Sequence, residues 1–166
     1  MEIGATKAVQ DRLKTTKIEE SKGASLVFCW DTHLTKIKGR NVLFIVNASN
    51  RYTIAMTDIE PRNWNYYAMY IIRVIHGMMQ EMGYSEEQIE QYFKMSGDTT
   101  ITKTHGRKSV GGINRMVMDA QYFGKKLEKE AKYQWELSEY LNRDICQPEG
   151  FDAYGYPNEL FKLDME

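Results

Sequence analysis

The segment NVLFIVNASNRYTIAM, residues 41–56, decides the fold because it predicts two strands joined by a tight turn. Residues 42–46 are uninterrupted β-branched and large apolar side chains, and residues 52–55 form a second run of strand-forming types. Between them lies NASN, whose Asn and Ser side chains bond their own backbone in turns. A strand that is apolar at every position is covered on both faces, so we expect residues 42–46 to form a central strand of a sheet.

The flanking segments predict an α+β fold, with a small antiparallel sheet packed against helices. Residues 26–30 form a strand before the hairpin, which completes a three-stranded meander, and residues 99–104 resemble an edge strand. Helical spacing of apolar residues predicts a helix over residues 5–14 and a longer one over residues 61–82. A further helix begins after Ser85, with Gln88 as its capping-box partner, and ends at Gly97.

The C-terminal third predicts a long helix followed by an acidic tail. Apolar residues recur at helical spacing from Val110 to Ala131, so a helix over residues 109–141 either breaks near Gly124 or projects from the domain. Residues 127–166 carry ten acidic against four basic side chains, with several aromatic residues. We therefore divide the chain into an α+β domain, residues 1–126, and a C-terminal helix extension with an acidic aromatic tail, residues 127–166. The projecting helix is a natural contact for a homodimer, and the tail is expected to dock on its own domain or on a partner.

Composition excludes several classes of protein. With 42% hydrophobic and 27% charged residues, the chain resembles an ordinary globular protein rather than a disordered one. It has no apolar run long enough to cross a bilayer and no signal-peptide pattern at its start, which predicts a cytoplasmic protein without membrane contact. The two cysteines offer neither a disulfide framework nor a thiolate metal cage, and Cys29 is expected to be buried and free. We expect no metal and no cofactor.

A basic turn between residues 103 and 115, KTHGRKSVGGINR, is the best candidate for contacting anions or nucleic acid. A glycine-containing turn that opens a helix exposes backbone N–H groups, and Lys and Arg beside it favour phosphate. The segment is not a Walker A loop, because it lacks the GK[ST] sequence. The alternative interpretation is a solvated basic turn. The candidate contacts are Lys103, His105, Arg107, Lys108 and Arg115.

Catalytic patterns are weak in this chain. Asp31 and His33 lie two residues apart on a predicted strand and, with His105, would suit a metal or acid–base site. No HExxH, CxxC or GxSxG sequence supports that use, and Ser109 is better explained as a helix N-cap than as a nucleophile. We therefore predict no catalytic residues. A nuclease or phosphoryl-processing enzyme built around His105 remains the alternative.

Three stretches together resemble an uncharacterised bacterial family of unknown function: MEIGATKAVQDRLK, NVLFIVNASNRYTIAM and TITKTHGRKSVGGINRM. The resemblance covers about residues 1–125. It implies a small α+β domain that begins with a strand and a helix and usually has no assigned activity. Small orphan proteins of this kind are common on phages and plasmids, where many disable host defence complexes, the anti-CRISPR proteins among them.

These observations favour a non-enzymatic binding protein, and a phage- or plasmid-encoded inhibitor of a host nucleic-acid-handling defence complex is the specific hypothesis. A nucleic-acid-binding regulator that uses the basic turn is a further alternative. The expected partner is a protein or nucleoprotein, with nucleic acid contacted through its phosphates. The candidate partner contacts are the C-terminal aromatic residues Trp135, Tyr140, Phe151, Tyr154 and Tyr156.

Overall fold

The predicted hairpin forms the antiparallel pair β3 (Arg40–Asn47) and β4 (Thr53–Thr57). A computed structural model describes residues 1–13 and 17–166. Asn47 closes the turn because its side-chain oxygen accepts hydrogen bonds from the backbone N–H groups of Ser49 and Asn50. Residues 42–46 are buried on both faces of the sheet, as their unbroken apolarity predicted.

The sheet has five strands in the order β4-β3-β2-β1-β5. Strand β2 (Cys29–Ile37) is antiparallel to β3, which confirms the predicted meander. The predicted strand over residues 26–30 is wrong at its start, because Leu26–Phe28 form a turn of 3-10 helix. Strand β1 (Glu2–Ala5) lies between β2 and the short edge strand β5 (Thr100–Thr102) and is parallel to both. The fold class α+β is confirmed, but the sheet is mixed rather than purely antiparallel.

Helices cover both faces of this sheet. One face carries α1 (Lys7–Leu13), α3 (Tyr67–Glu81), α4 (Glu86–Ser96) and α7 (Pro157–Asp164), and α2 (Pro61–Asn65) precedes α3. The other face carries α5 (Gly106–Gln121) and α6 (Trp135–Asn142). The helix predicted over residues 61–82 is split into α2 and α3 at Tyr66. The capping box predicted at Ser85 is confirmed. The predicted end of the first helix, at residue 14, lies outside the described residues.

The long C-terminal helix over residues 109–141 is not formed as one element, because α5 ends at Gln121 and α6 begins at Trp135. The break lies near Gly124, which was one of the two alternatives. The intervening chain runs along the sheet edge, where the Thr57 N–H donates to the Lys132 carbonyl and the Gln134 N–H donates to the Ala55 carbonyl. The projecting helix on which the homodimer prediction depended is therefore not formed.

The C-terminal segment packs on both cores of the domain. Leu137 and Leu141 of α6 are buried with α5 against the sheet. Phe161 of α7 is fully buried on the opposite face, with its ring 5.2 Å from that of Tyr52 and 6.0 Å from that of Trp30. Residues 127–166 thus share their cores with residues 1–126. None of the helices described is long and apolar enough to pass through a bilayer.

We predict that α7 contributes directly to stability. The change Phe161→Ala removes a fully buried ring and should lower the free energy of unfolding by about 3–5 kcal/mol, measured by urea denaturation. The matched control, Leu163→Ala, alters an exposed side chain two residues away and should change that free energy by no more than about 0.5 kcal/mol. Equal small effects would show that α7 does not belong to the folded core.

Candidate functional site

The sheet face beneath α5 is apolar at one end and polar at the other. Strands β3 and β4 present Val42, Phe44 and Ala55 to α5. Strands β1 and β2 instead present Glu2 and Asp31, and the register pairs Glu2 with Cys29 and Gly4 with Asp31. Because neighbouring residues in register share a face, the polar side chains meet under the first turn of α5.

A buried histidine links two carboxylates at that place. His105 Nδ1 lies 2.7 Å from Asp31 Oδ1, and its Nε2 lies 2.9 Å from Glu2 Oε2. The side chains of His105, Glu2 and Asp31 are 3%, 5% and 0% exposed. Ser109, one turn further along α5, donates its hydroxyl to Asp31 Oδ2. We call Glu2, Cys29, Asp31, His105 and Ser109 the polar cluster.

Asp31 also takes the place of an anion at the start of α5. The backbone N–H of His105 lies 3.3 Å from both carboxylate oxygens of Asp31. A helix N-terminus favours negative charge, so this buried carboxylate satisfies an orphan donor and the helix dipole together. An external anion therefore has no open position at this N–H. The prediction that Ser109 is the N-cap is wrong, since α5 begins at Gly106 and Ser109 binds Asp31 instead.

Glu2 is held as a carboxylate by its neighbours. Burial alone would raise its pKa, but the hydroxyl of Ser21 at 2.6 Å, the backbone N–H of Lys22 at 2.7 Å and the ring of His105 together lower the pKa below its ordinary value. Burial likewise disfavours the charged form of His105, but the hydrogen bond and charge of Asp31, with a further contribution from the Cys29 sulfur, raise the pKa of His105 to about 10. His105 is thus an imidazolium that lies between the carboxylates of Asp31 and Glu2.

Gly4 makes room for this arrangement. A β-carbon at Gly4 would lie 1.8 Å from Asp31 Oδ1 and 3.1 Å from His105 Nδ1. No side chain fits between strand β1 and the Asp31–His105 pair, so glycine is required where the carboxylate crosses the strand.

An open cavity of about 320 Å³ lies beside the N-terminal half of α5, next to the polar cluster, and we call it the basic pocket. One side of the pocket is formed by residues of α5 and another by the turn between β3 and β4. Its lining includes Arg51, Lys108, Ser109, Gly111, Gly112 and Arg115. Ser109 borders both the pocket and the polar cluster.

Arg51 reaches the pocket from the hairpin turn. Its backbone has φ of 62°, a left-handed conformation, and its Nη2 donates to the Gly112 carbonyl at 2.7 Å. A β-carbon on Gly112 would lie 2.9 Å from the Arg51 guanidinium carbon. A β-carbon on Gly111 would have no heavy atom within 4 Å. The two adjacent glycines therefore differ: packing inside the chain explains Gly112 but not Gly111.

The sequence candidates are placed in different environments. Lys108 and Arg115 line the basic pocket, whereas Arg107 is exposed outside its lining and Lys103 pairs with Glu20 at the surface. The ring nitrogens of His105 contact carboxylates rather than solvent. His33, predicted to join Asp31 and His105, has its Nδ1 3.1 Å from the Thr6 hydroxyl, and burial lowers its pKa.

The predicted partner contacts are also dispersed. Trp135 and Tyr140 border a groove of about 630 Å³ between α5 and α6, which carries basic and acidic side chains together. Tyr154 and Tyr156 are exposed and Phe151 is half-buried. Arg115 borders both this groove and the basic pocket.

Sequence reasoning missed Glu2, Gly4 and Arg51. Glu2 begins a strand of four residues, which is too short to show a period, and its partner His105 lies 103 residues away. Gly4 inside a short apolar run was the available signal, because glycine within a strand often marks a close approach.

We predict that Gly4→Ala destabilises the protein by about 1–3 kcal/mol or more, because the new methyl group displaces the Asp31 carboxylate. Gly77→Ala is the matched control: its β-carbon meets nothing within 4 Å, and alanine in a helix interior is favoured over glycine by about 0.5–1 kcal/mol. Thermal or urea unfolding of both variants measures the difference. Equal effects would contradict the close approach at Gly4.

The buried imidazolium also predicts a pH dependence. The folded protein holds the His105 proton with a pKa of about 10, and the unfolded chain holds it near the ordinary 6.5. The stabilisation of the folded state by protonated His105 is therefore complete below about pH 6.5 and is lost as pH rises through 10. Urea unfolding between pH 7 and 10 measures this dependence, with both proteins treated with a chelator to remove any metal. The free energy of unfolding should fall more steeply with pH for the wild type than for His105→Gln. Parallel curves would contradict the ion pair.

Comparison with known proteins identifies a family. Searches of curated proteins and of solved structures gave no significant match. The family model described as a domain of unknown function, DUF6933, matches residues 2–160. The match extends from β1 into α7, so it includes the polar cluster, the basic pocket and residues 126–160, which lie beyond the sequence resemblance. The chain belongs to the DUF6933 family of domains of unknown function.

Proposed function

We propose that this protein is a binding protein that holds a phosphate-bearing ligand in the basic pocket. The observation that carries the proposal is the convergence of Arg51, Lys108 and Arg115 from two separate elements on one open cavity. Arginine and lysine are the side chains that bind phosphate oxygens, arginine with a fork of parallel donors and lysine as a point charge. A cavity of about 320 Å³ accommodates a group of the size of a nucleotide.

The charge of the pocket favours an anion. Three basic side chains line it against one acidic side chain, Glu149, whose carboxylate lies 4.0 Å from Lys108 Nζ. Asp119 lies 3.4 Å from Arg115 Nε but outside the pocket lining. The pairs at Lys108 and Arg115 involve exposed side chains, and such pairs contribute little and exchange readily. A phosphate can therefore replace the carboxylates as the partner of these cations.

Gly111 supports a ligand against the helix itself. Glycine in a helix interior costs about 0.5–1 kcal/mol relative to alanine, and no neighbouring atom of the described chain occupies the space beside Gly111. Gly111 borders the pocket, so its missing side chain opens the pocket floor to the backbone. This unexplained cost is consistent with a ligand that approaches the helix at this residue.

The geometry favours binding over catalysis at His105. A general base must reach the proton that it abstracts, but the His105 side chain is 3% exposed and its two nitrogens face Asp31 and Glu2. The polar cluster accordingly supports α5 and positions the pocket, and the nuclease alternative receives no support from this arrangement.

The wider hypothesis adds a macromolecular partner. A nucleoprotein complex offers both phosphates for the basic pocket and protein surface for the adjoining groove at Trp135 and Tyr140, with Arg115 between them. Inhibition of a host nucleic-acid-handling complex in the cytoplasm stays the specific prediction for such a partner.

We predict that Lys108→Ala combined with Arg115→Ala weakens binding of a labelled single-stranded oligonucleotide by about tenfold per side chain removed, because each loses a charge-assisted hydrogen bond. The slope of log affinity against log salt should flatten by about one for each lost phosphate contact. Fluorescence anisotropy measures both quantities, and Lys94→Ala, an exposed lysine on α4, is the control that should leave them unchanged.

Parallel titrations with a nucleoside triphosphate and with inorganic phosphate separate the two sources of phosphate. Binding of the nucleotide alone indicates a small-molecule ligand, and preference for the oligonucleotide indicates a nucleic-acid ligand. If the wild type binds none of these probes, or if the double variant and Lys94→Ala behave alike, the pocket is not a phosphate site.

The glycine pair gives an independent test. Gly111→Ala should raise the free energy of unfolding by about 0.5–1 kcal/mol and weaken binding, because the methyl group fills the pocket floor. Gly112→Ala should lower stability, because its methyl group meets the Arg51 guanidinium. Greater stability of Gly111→Ala with unchanged affinity would contradict the position of the ligand.

A further inference from the structure

The polar cluster contains a set of metal-ligating atoms that the proposed function does not use. A Glu2 carboxylate oxygen, the Cys29 sulfur and a His105 ring nitrogen lie within 4.8 Å of one another. Cys29 is fully buried and free, and it stands beside Glu2 in the register of β1 and β2. Oxygen, sulfur and nitrogen ligands in one buried cluster are the combination that Zn²⁺ accepts.

We propose that Glu2, Cys29 and His105 form a divalent-metal site selective for Zn²⁺, with the metal between His105 Nε2 and the Glu2 carboxylate. Two of the ligands come from adjacent parallel strands and the third from the residue before α5. The metal would join the same elements that the His105 ion pairs join now.

The surroundings of His105 fit a metal ligand. A histidine that binds zinc usually donates its other ring N–H to a carboxylate, which fixes the tautomer and the ring orientation. His105 Nδ1 already lies 2.7 Å from Asp31 Oδ1, and the Ser109 hydroxyl and the His105 backbone N–H hold that carboxylate in place. Nε2 is the nitrogen on the side of Glu2. The supporting shell is therefore built before any metal arrives.

Binding of Zn²⁺ in exchange for two protons leaves the charge of the polar cluster balanced. Without metal, the Cys29 thiol donates to the Ser25 carbonyl at 3.4 Å, and one hydrogen-bond proton lies between His105 Nε2 and Glu2 Oε2, which are 2.9 Å apart. Zn²⁺ replaces the thiol proton and the Nε2 proton, and both protons leave to solvent. Two positive charges enter as two protons depart, so the net charge of the buried cluster is unchanged. No additional buried charge needs a partner.

The required movement is small. Zinc–ligand bonds of about 2.0–2.3 Å place ligand atoms roughly 3.3–3.7 Å apart around a tetrahedron. The 2.9 Å separation between Nε2 and Glu2 Oε2 must open slightly, and the sulfur must turn from the Ser25 carbonyl toward the ring. Side-chain rotation supplies both changes. The Ser21 hydroxyl, 2.6 Å from Glu2 Oε2, or a water molecule completes the fourth position.

The test uses the full chain, stripped with a chelator and titrated with Co²⁺. A single equivalent should produce the thiolate-to-cobalt charge-transfer absorption and the intense visible bands of tetrahedral cobalt, and Zn²⁺ should displace it. Cys29→Ser should abolish the charge-transfer band. Cys146→Ser removes the other free buried cysteine, which lies outside the cluster, and should leave the band unchanged.

Two further variants separate a ligand from a merely structural role. Asp31→Asn should weaken Zn²⁺ affinity by roughly 10–100-fold while keeping the charge-transfer band at saturating cobalt, because Asp31 orients His105 without touching the metal. If Cys29→Ser does not fold by circular dichroism, Glu2→Gln replaces it and should weaken the metal affinity with the thiolate band retained at saturation. Lys108→Ala, in the basic pocket, should not alter metal binding, so the two proposals fail or hold separately.

The proposal is overturned if the folded stripped protein shows no charge-transfer band with stoichiometric cobalt, or if the spectrum is that of octahedral cobalt without sulfur. It is also overturned if the band persists in Cys29→Ser or disappears in Cys146→Ser. Metal analysis of the reconstituted wild type should give one zinc per chain after dialysis, and a ratio near zero would contradict the site.

Discussion

The ion pairs of His105 with Glu2 and Asp31 fix the position of α5 on the sheet. They connect β1, β2 and the start of α5 at a point where all three side chains are nearly inaccessible to water. Burying charge costs free energy unless partners and hydrogen bonds compensate, and the loss of any one partner would leave an uncompensated charge. Ser21, Lys22 and Ser109 supply the remaining hydrogen bonds. The interaction therefore gives the helix one orientation rather than a large gain in stability.

That orientation determines what the outer side of α5 can do. His105 and Ser109 are four residues apart and face the sheet, so Lys108, Gly111 and Arg115 are turned toward the cavity beside the hairpin turn. Gly112 lets the Arg51 guanidinium lie against the helix and completes the pocket. Gly4 has the corresponding role at the cluster. Two close approaches that only glycine allows thus hold the helix between a buried negative cluster and an open basic pocket.

Local patterns predicted the elements of this fold better than its site. The hairpin, its turn and the Ser85 capping box were recognisable because neighbouring residues determine them. Helical spacing did not decide whether the helix over residues 109–141 breaks, because Phe123 and Leu127 continue the apolar stripe into the α5 core without a helical backbone. The cluster joins residues 74 and 103 positions apart, so its geometry depends on strand order, which no local period reveals. Lys108 and Arg115 were found by charge alone.

The start of α5 differs from a simple phosphate loop in the partner of its first N–H group. In such loops the open N–H groups at a helix start bind the anion, but here the Asp31 carboxylate already accepts the His105 N–H. An external phosphate beside it would meet a like charge. The phosphate contacts that we propose are instead side chains, Lys108 and Arg115 on the helix and Arg51 from the hairpin turn. The carboxylate of Asp31 thus occupies the N–H of His105, and the phosphate site that we propose uses side chains rather than this helix end.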